Sequence, residues 1–208
     1  MFEKAFDIAK GWDMSMKNDT KNMIIDTAIT LIKEVEKKPD SITIRDISKR
    51  AGIAISQINY HFQTKENLLS QCAQKMISNV IEKFDDCLTE MSCMTPFERL
   101  ENMLNLTFTY LYENENLARI SILSDHRTPS PTDNTNQTMN VYKSLVDKVC
   151  SEKGITNSPL IETLLMQSLQ GVFLRTDVIK TDLMVNLRNP EERKKFLHEV
   201  LERFFMGI

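Results

Sequence analysis

Residues 43–69, TIRDISKRAGIAISQINYHFQTKENLL, contain two short helical patterns separated by a glycine and followed by the start of a third. Thr43 and Asp46 have the spacing of a capping box, which predicts that a helix begins directly after Thr43. Gly52 is predicted to end this helix, because glycine enters the left-handed conformation without a steric cost. Two short helices joined by a tight turn form the unit that places a helix in the major groove of DNA.

The second helix of this segment is predicted to have one buried and one polar face. Ile58 and Phe62 lie four residues apart and give it an apolar side. The sequence contains no acidic residue between Ala51 and Lys65, which favours a DNA-facing surface. An ordinary helical hairpin with a polar outer face is the alternative. The side chains predicted to project outward carry groups that bond phosphates and base edges: Ser56, Gln57, Asn59, Tyr60 and His61.

A third helix is predicted to begin after Thr64, whose hydroxyl can cap it. Lys65 would lie in the first turn of that helix, where a positive charge opposes the helix dipole. A phosphate lying opposite this helix end would account for a lysine at that position.

This segment resembles the DNA-binding domain of TetR-type transcriptional regulators. The positions that match the family motif are Thr43, Arg45, Ile47, Ala51, Gly52, Ile53, Ile58, His61, Phe62, Lys65, Glu66 and Leu68. The resemblance implies that Arg45, Ile55, Ser56 and Gln57 approach base edges. It also implies that Thr43, Tyr60, His61 and Lys65 contact the DNA backbone.

The chain departs from the family near the end of the second helix. The common family tyrosine two positions before His61 is Asn59 here, and Tyr60 follows it. Asparagine can bond adenine through two hydrogen bonds, so we expect Asn59 to read a base. Ile55 would either pack on a thymine methyl group or complete the core.

The charge distribution agrees with one DNA-facing end. The net charge of the 208 residues is −3, but residues 17–75 contain ten Lys and Arg against seven Asp and Glu. Residues 76–208 contain fourteen against nineteen. A mildly basic N-terminal segment followed by an acidic remainder is typical of a protein with one DNA-binding end. Chance scatter is the alternative explanation for so small an excess.

The whole chain is predicted to be all-α. Five glycines and six prolines are few for this length, and they lie between apolar-periodic segments. We predict an N-terminal three-helix DNA-binding domain with the helix-turn-helix at residues 17–63, in which helix 1 spans residues 20–37. A larger helical effector-binding and dimerisation domain is predicted at residues 64–208. Residues 1–16 stay unassigned.

Prolines and polar, turn-forming residues divide the second domain into predicted helices. Pro96, Pro159 and Pro190 are each predicted at a first helical position. The stretch RTPSPTDNTNQT, residues 127–138, is rich in turn-forming residues and is predicted to be a loop. Helices are predicted at about residues 65–90, 96–114, 115–126, 139–153, 159–180 and 190–206.

The last two predicted helices carry apolar bands too wide for a single neighbour. We predict that two such helices from each of two subunits form a four-helix interface about a twofold axis, as the resemblance also implies. Burial inside the chain's own core is the alternative. A dimer would hold two recognition helices about 34 Å apart, or a multiple of this, to match a palindromic operator. The candidate interface residues are Ile161, Leu165, Leu169, Val172, Leu197, Val200, Leu201 and Phe204.

The resemblance further implies an effector pocket among the helices of the second domain. Aromatic residues and methionines could line it, and either of two arginines could anchor an anionic ligand. Core packing, and solvated or ion-paired arginines, are the alternatives. The candidates are Met103, Phe108, Tyr110, Arg119, Tyr142, Met166, Phe173 and Arg175.

Other classes of protein are not indicated. The four cysteines have no C-x-x-C spacing, so neither a metal nor another cofactor is expected. Three scattered histidines without a nucleophile or phosphate motif offer no catalytic site, so we do not expect an enzyme. No apolar run approaches the ~20 residues that span a bilayer, and nothing resembles a signal peptide. Reduced thiols and the cytoplasm are therefore expected.

The sequence thus predicts a ligand-responsive transcriptional regulator that binds a palindromic operator in double-stranded DNA as a homodimer. The resemblance to the family implies a repressor that a small-molecule effector releases from DNA. The alternative is a helical ligand-binding or adaptor protein whose helix-turn-helix no longer reads DNA.

Overall fold

The computed structural model describes residues 2–34, 42–88 and 93–205, and the side chains of 18–34, 42–79 and 93–205. Within these ranges the chain is all-α, as predicted, and contains no strand. Its helices are α1 (Phe2–Glu34), α2 (Ile44–Ala51), α3 (Ile55–Phe62), α4 (Lys65–Leu88), α5 (Pro96–Glu113), α6 (Glu115–Arg127), α7 (Asn134–Glu152), α8 (Ser158–Leu174), α9 (Thr176–Asp182) and α10 (Pro190–Phe205).

The helices form two compact units, here called unit 1 (Met1–Lys75) and unit 2 (Met76–Ile208). The boundary between them falls within α4. The functional domains expected at residues 17–63 and 64–208 stay a prediction. Helix 1, predicted over residues 20–37, begins much earlier, at Phe2, and is described as far as Glu34. Residues 35–37 lie outside the described residues.

The core of unit 1 is formed where α1, α2 and α3 contact one another. Ile24, Ala28 and Ile32 of α1 are spaced by four residues and are fully buried. Ile47 of α2 and Phe62 of α3 are also fully buried. Burying a large apolar side chain contributes about 1.5–3 kcal/mol, so α1 fixes the inner sides of α2 and α3 and leaves their other sides to solvent.

In unit 2, α7 contacts α5, α6 and α8, and α5 also contacts α10. The buried side chains include Leu104 and Phe108 of α5, Val146 and Val149 of α7, and Leu197 of α10. The helices α5 to α8 therefore surround a common interior. No helix in the described ranges is long and apolar enough to cross a membrane.

The stretch predicted as a loop, residues 127–138, is helical from Asn134 onward. The Asp133 side chain caps α7 by accepting a hydrogen bond from the backbone N–H of Asn136 at 2.8 Å. Asn134 is only 4% exposed, so the polar first turn of α7 points into the unit. The loop prediction is therefore wrong over residues 134–138, because a polar side chain can be buried where its neighbours bond it.

The helix predicted over residues 159–180 is two helices, α8 and α9. The Thr176 hydroxyl donates to the Phe173 carbonyl at 2.7 Å, and Nη1 of Arg119 donates to the Leu174 carbonyl at 2.8 Å. These side chains occupy carbonyl groups at the end of α8, where a helix needs outside donors. The interruption thus depends partly on α6, a distant segment of the chain.

Candidate nucleic-acid interface and ligand cavity

The start of α2 is held by the capping box that the sequence predicts. The Thr43 hydroxyl accepts a hydrogen bond from the Asp46 N–H at 3.2 Å, and the Thr43 N–H donates to the Asp46 carboxylate at 2.9 Å. The Thr43 hydroxyl also donates to the Asp46 carboxylate at 2.6 Å, and this hydrogen bond, together with that from the Thr43 N–H, holds the pKa of Asp46 below its usual value. The exposed Asp46 carboxylate is therefore already hydrogen-bonded to Thr43 at the start of α2.

The turn between α2 and α3 is fixed by glycine and by a serine. Gly52 has φ 68° and ψ 27°, the left-handed conformation that favours glycine. The Ser48 hydroxyl donates to the Ile53 carbonyl at 2.6 Å, and the Ile53 N–H donates to the Ser48 carbonyl at 3.2 Å. Ser48 is buried, and the sequence pattern gave no sign of this role. The pair of bonds across the turn sets the position of α3 relative to α2.

The two sides of α3 differ sharply in exposure. Ile58 is 1% exposed and Phe62 is fully buried, as their spacing predicts. On the opposite side, Tyr60 is 66% exposed and its ring meets His61 edge to face, with 5.2 Å between ring centroids. Ile55 is 39% exposed, so it does not complete the core.

The turn from α3 into α4 is also held by side chains. The Thr64 hydroxyl accepts a hydrogen bond from the Asn67 N–H at 3.0 Å and caps α4, as predicted. The Asn67 amide nitrogen donates to the Phe62 carbonyl at 2.8 Å. Gln63, between them, has φ 63°. All nine residues expected to contact DNA are exposed or half-exposed in unit 1: Thr43, Arg45, Ile55, Ser56, Gln57, Asn59, Tyr60, His61 and Lys65.

Unit 2 contains a cavity of about 90 Å³. Its wall is formed by α5, α6, α7 and α8 together with the residues of α4 that follow Lys75. Much of the wall is apolar and includes Leu104, Phe108, Ile122, Met166 and Leu169. Such a lining suits the uncharged body of a small molecule.

One side of the cavity carries a connected set of polar groups. The Asp125 carboxylate accepts hydrogen bonds from the Thr135 N–H and hydroxyl, both at 2.8 Å. The Thr135 hydroxyl oxygen accepts from the Gln170 amide nitrogen at 2.9 Å. The Asn134 amide nitrogen donates to the Ser121 hydroxyl at 3.0 Å. Burial raises the pKa of the Asp125 carboxyl, although its hydrogen bonds from Thr135 oppose the change.

The sequence pattern does not predict this polar wall. Asn134 and Thr135 fall in the stretch predicted as a loop, and Gln170 lies in a helix known from sequence only by its apolar residues. The only signal available was a polar residue breaking an apolar pattern, as Gln170 does after Leu169. That signal alone does not distinguish a cavity wall from a solvated face.

Half of the residues expected in an effector pocket line this cavity, namely Phe108, Tyr110, Tyr142 and Met166. Burial raises the pKa of Tyr142, whose hydroxyl shares a short hydrogen bond with Thr107. The remaining four, Met103, Arg119, Phe173 and Arg175, do not line it.

Those four residues lie elsewhere in unit 2. Met103 and Phe173 are buried in the core. The Arg119 guanidinium bonds the Glu115 carboxylate at 3.1 Å and lies 5.6 Å from the Phe173 ring centroid. Arg175 is exposed between α8 and α9. Neither arginine is placed to anchor an anion inside this cavity.

The eight residues expected at a dimer interface divide by burial into two groups. Leu165, Leu169, Leu197 and Leu201 are buried within unit 2 of the single chain. Ile161, Val172, Val200 and Phe204 are partly exposed. On α8, Leu160 and Leu164 are 50% and 48% exposed, so the most accessible apolar side of this helix lies beside the predicted one.

Residues 24–72 match the sequence family described as bacterial regulatory proteins of the tetR family. The matched range holds the end of α1, the whole helix-turn-helix and the start of α4. The helix-turn-helix region therefore matches the tetR family. This match supports a transcriptional regulator.

The chain is also similar to the fatty acid metabolism regulator protein of Bacillus subtilis (strain 168). It is 25% identical over 175 residues, which cover 83% of this chain and 88% of the relative. The solved structure of RolR with resorcinol has a TM-score of 0.65 and 16% identity, covering 92% of this chain and 90% of RolR. The solved structure of FadR from Bacillus subtilis with stearoyl-CoA has a TM-score of 0.62 and 20% identity, covering 89% of this chain and 98% of FadR. Both structures share the fold of this chain.

Proposed function

We propose that this protein is a tetR-family repressor that binds a palindromic operator as a homodimer and leaves it when a small-molecule effector binds. The observation that carries the proposal is the outer side of α3, where polar side chains are exposed and no carboxylate interrupts them. We expect it to act in the cytoplasm, as inferred from the sequence.

Base reading would come from the start of α3 and from α2. Ser56 and Gln57 in the first turn of α3, with Arg45 in the first turn of α2, carry hydroxyl, amide and guanidinium groups that bond base edges. Asn59 follows on the exposed side of α3 and can pair with adenine. Each well-formed two-bond contact of this kind discriminates between bases by about 1–3 kcal/mol. The sequence preference would thus depend on Asn59.

Backbone contacts would surround these base contacts. Thr43, Tyr60, His61 and Lys65 are all accessible to solvent, and they carry hydroxyl, imidazole and ammonium groups that can donate to phosphate oxygens. The Thr43 hydroxyl donates to the Asp46 carboxylate and would have to leave it to bond a phosphate. Lys65 begins α4, whose first N–H groups also favour an anion. Such contacts position the protein and make its affinity depend on salt.

The exposed side of α8 supports a second copy of the chain as partner. Leu160 and Leu164 are spaced by one helical turn and half-exposed, and a Cβ added at Gly171 would meet nothing within 4 Å. Val200 and Phe204 on α10 are one turn apart and partly exposed, less so than the two leucines. A twofold contact of these helices would cover both stripes and would pair two copies of α3 for a palindrome.

The cavity in unit 2 supports an effector site. RolR was solved in complex with resorcinol and FadR in complex with stearoyl-CoA, so proteins of this fold bind small molecules of very different size. Met76 and Ile77 of α4 belong to the cavity wall. An effector that displaces α4 would change the spacing of the two recognition helices. A coupling of about 1–3 kcal/mol would change operator occupancy by about 5–150-fold.

The test is an electrophoretic mobility shift with the DNA upstream of the protein's own gene. Arg45→Ala and Tyr60→Ala should each weaken binding at least about tenfold while the dimer persists, because each removes a DNA contact. Arg127→Ala, an exposed arginine in unit 2, is the matched control and should bind as the wild type does.

Two results would contradict the proposal in different ways. Retained binding in both Arg45→Ala and Tyr60→Ala would refute the assigned contacts. No shift by the wild-type protein at low salt, on this DNA or on a randomised duplex pool, would favour a helical ligand-binding or adaptor protein.

A further inference from the structure

Two buried amide oxygens in the cavity wall have no hydrogen-bond partner. Asn134 is 4% exposed and Gln170 is 8% exposed, and both line the cavity. Their amide nitrogens are bonded, but Oδ1 of Asn134 and Oε1 of Gln170 are not. Buried polar groups in folded proteins are nearly always paired, so two unpaired acceptors in one cavity wall point to a ligand that supplies donors.

The orientation of the Gln170 amide follows from its neighbours. A threonine hydroxyl has one proton to donate, and that of Thr135 goes to the Asp125 carboxylate at 2.8 Å. The Thr135 oxygen can therefore only accept from Gln170, which must present its NH₂ group to it. The Gln170 oxygen is left as an unpaired, buried acceptor of a residue that lines the cavity.

The charge of the wall decides against an anionic ligand. Among the described residues that line the cavity there is no lysine, arginine or histidine, and the acidic Asp125 is present. A carboxylate or phosphate inside this wall would face acceptors and a like charge, without a cation to offset its desolvation. An uncharged molecule meets no such penalty.

The size and lining of the cavity describe the rest of the ligand. Its volume of about 90 Å³ is somewhat below the roughly 150 Å³ of cavities that accept one benzene ring. Phe108 and Leu169 offer apolar surface, and Met166 can change rotamer to enlarge the space. A single ring therefore fits after a small adjustment, whereas a long chain needs a much larger one.

We propose that the cavity binds a compact, uncharged, ring-sized molecule whose two hydrogen-bond donors pair with Oδ1 of Asn134 and Oε1 of Gln170. Benzenediols are the simplest compounds of this class. The inference rests on the proposed function only in taking this cavity as the effector site.

The proposal is tested first by calorimetric titration of the full-length wild-type protein. The probes are catechol, resorcinol and hydroquinone, which space their two donors differently. The comparison compounds are 1,3-dimethoxybenzene, which keeps the ring but has no donors, and the anions benzoate and stearoyl-CoA. At least one diol should bind one molecule per chain, and 1,3-dimethoxybenzene should bind it at least about tenfold more weakly.

Matched variants then test the two acceptors. Gln170→Met and Asn134→Leu keep the size of the side chain but remove the acceptor, and each should weaken diol binding at least about tenfold. The controls are Gln167→Met on α8 and Asn140→Leu on α7, both at exposed positions of the same helices. Both controls should bind the diol as the wild type does. The probe series on the wild-type protein remains decisive even where a variant does not fold.

Three results would overturn the proposal. The first is that none of the diols binds at millimolar concentration. The second is that 1,3-dimethoxybenzene or an anionic probe binds at least as tightly as the best diol. The third is that Gln170→Met and Gln167→Met bind the diol with the same affinity. If stearoyl-CoA is the only probe that releases the protein from the operator, the proposed repressor function is supported and the proposed ligand class is refuted. If a diol binds in the expected donor-dependent way but the protein does not bind DNA, the proposed ligand class is supported and the proposed repressor function is refuted.

Discussion

Replacing Leu164 with glutamate should dissociate the proposed dimer. Leu164 is 48% exposed in the single chain, and Leu160, one turn earlier on α8, is 50% exposed. Full burial of a leucine contributes about 1.5–3 kcal/mol. Burying the remaining half of Leu164 in each of two subunits therefore contributes about 1.5–3 kcal/mol per dimer.

The glutamate adds a second, larger effect. Each of the two new carboxylates would lose water against an apolar stripe without a designed partner, which costs several kcal/mol in proteins. The sum is expected to reach at least about 4 kcal/mol, which corresponds to about a thousandfold rise in the dissociation constant of the dimer. Affinity for a palindromic operator should fall with it, because the two recognition helices are no longer linked.

Sedimentation velocity over a range of protein concentrations measures the effect. Leu123→Glu is the matched control, since Leu123 is 49% exposed on α6 and lies outside the proposed interface. A wild-type dimer, a Leu123→Glu dimer and a Leu164→Glu monomer at the same micromolar concentration are expected. A Leu164→Glu protein that stays dimeric, or a Leu123→Glu protein that dissociates equally, would refute the placement of the interface on this side of α8.

Three further predictions concern stability. Ser48→Ala removes a part-buried hydrogen bond across the α2–α3 turn and should lower the free energy of unfolding by about 1–2 kcal/mol in urea, whereas Ser56→Ala at an exposed position should not. Gly52→Ala should cost about 1–2 kcal/mol in the same assay, because φ 68° strains any residue with a Cβ; an unchanged midpoint would contradict this. The hydrogen bond from His198 to Glu101 raises the pKa of His198, so the stabilisation is complete below about pH 6 and is lost as the pH rises through that raised value. His198→Gln should therefore lower Tm at about pH 5.5 and have little effect at about pH 8.5; equal effects at both would reject the ion pair.

The helix-turn-helix could be predicted from sequence because its determinants are local. The Thr43–Asp46 capping box, the left-handed Gly52 and the buried Ile58 and Phe62 all depend on residues three or four positions apart. The side-chain groups on the outer side of α3 follow from the same periodicity. Ser48 escaped prediction because its partner is a backbone carbonyl beyond the turn.

Element boundaries in unit 2 were less predictable. The polar composition of residues 127–138 favoured a loop, and only the burial of Asn134 explains a helix from that residue onward. The end of α8 depends on Arg119, 55 positions from the carbonyl that it bonds. Sequence periodicity carries no information about such a donor.

The sequence by itself determined the resemblance to the tetR family, the all-α fold and the polar side chains on the outer side of α3. Only the tertiary structure decided which apolar residues of α8 and α10 are buried within the chain and which remain exposed, because the apolar bands are wide enough to permit several rotations of each helix. It also decided the polar wall of the cavity, where Gln170 bonds Thr135 across 35 positions. Unpaired acceptors exist only once distant helices bury them, so the chemistry of the ligand depends on packing.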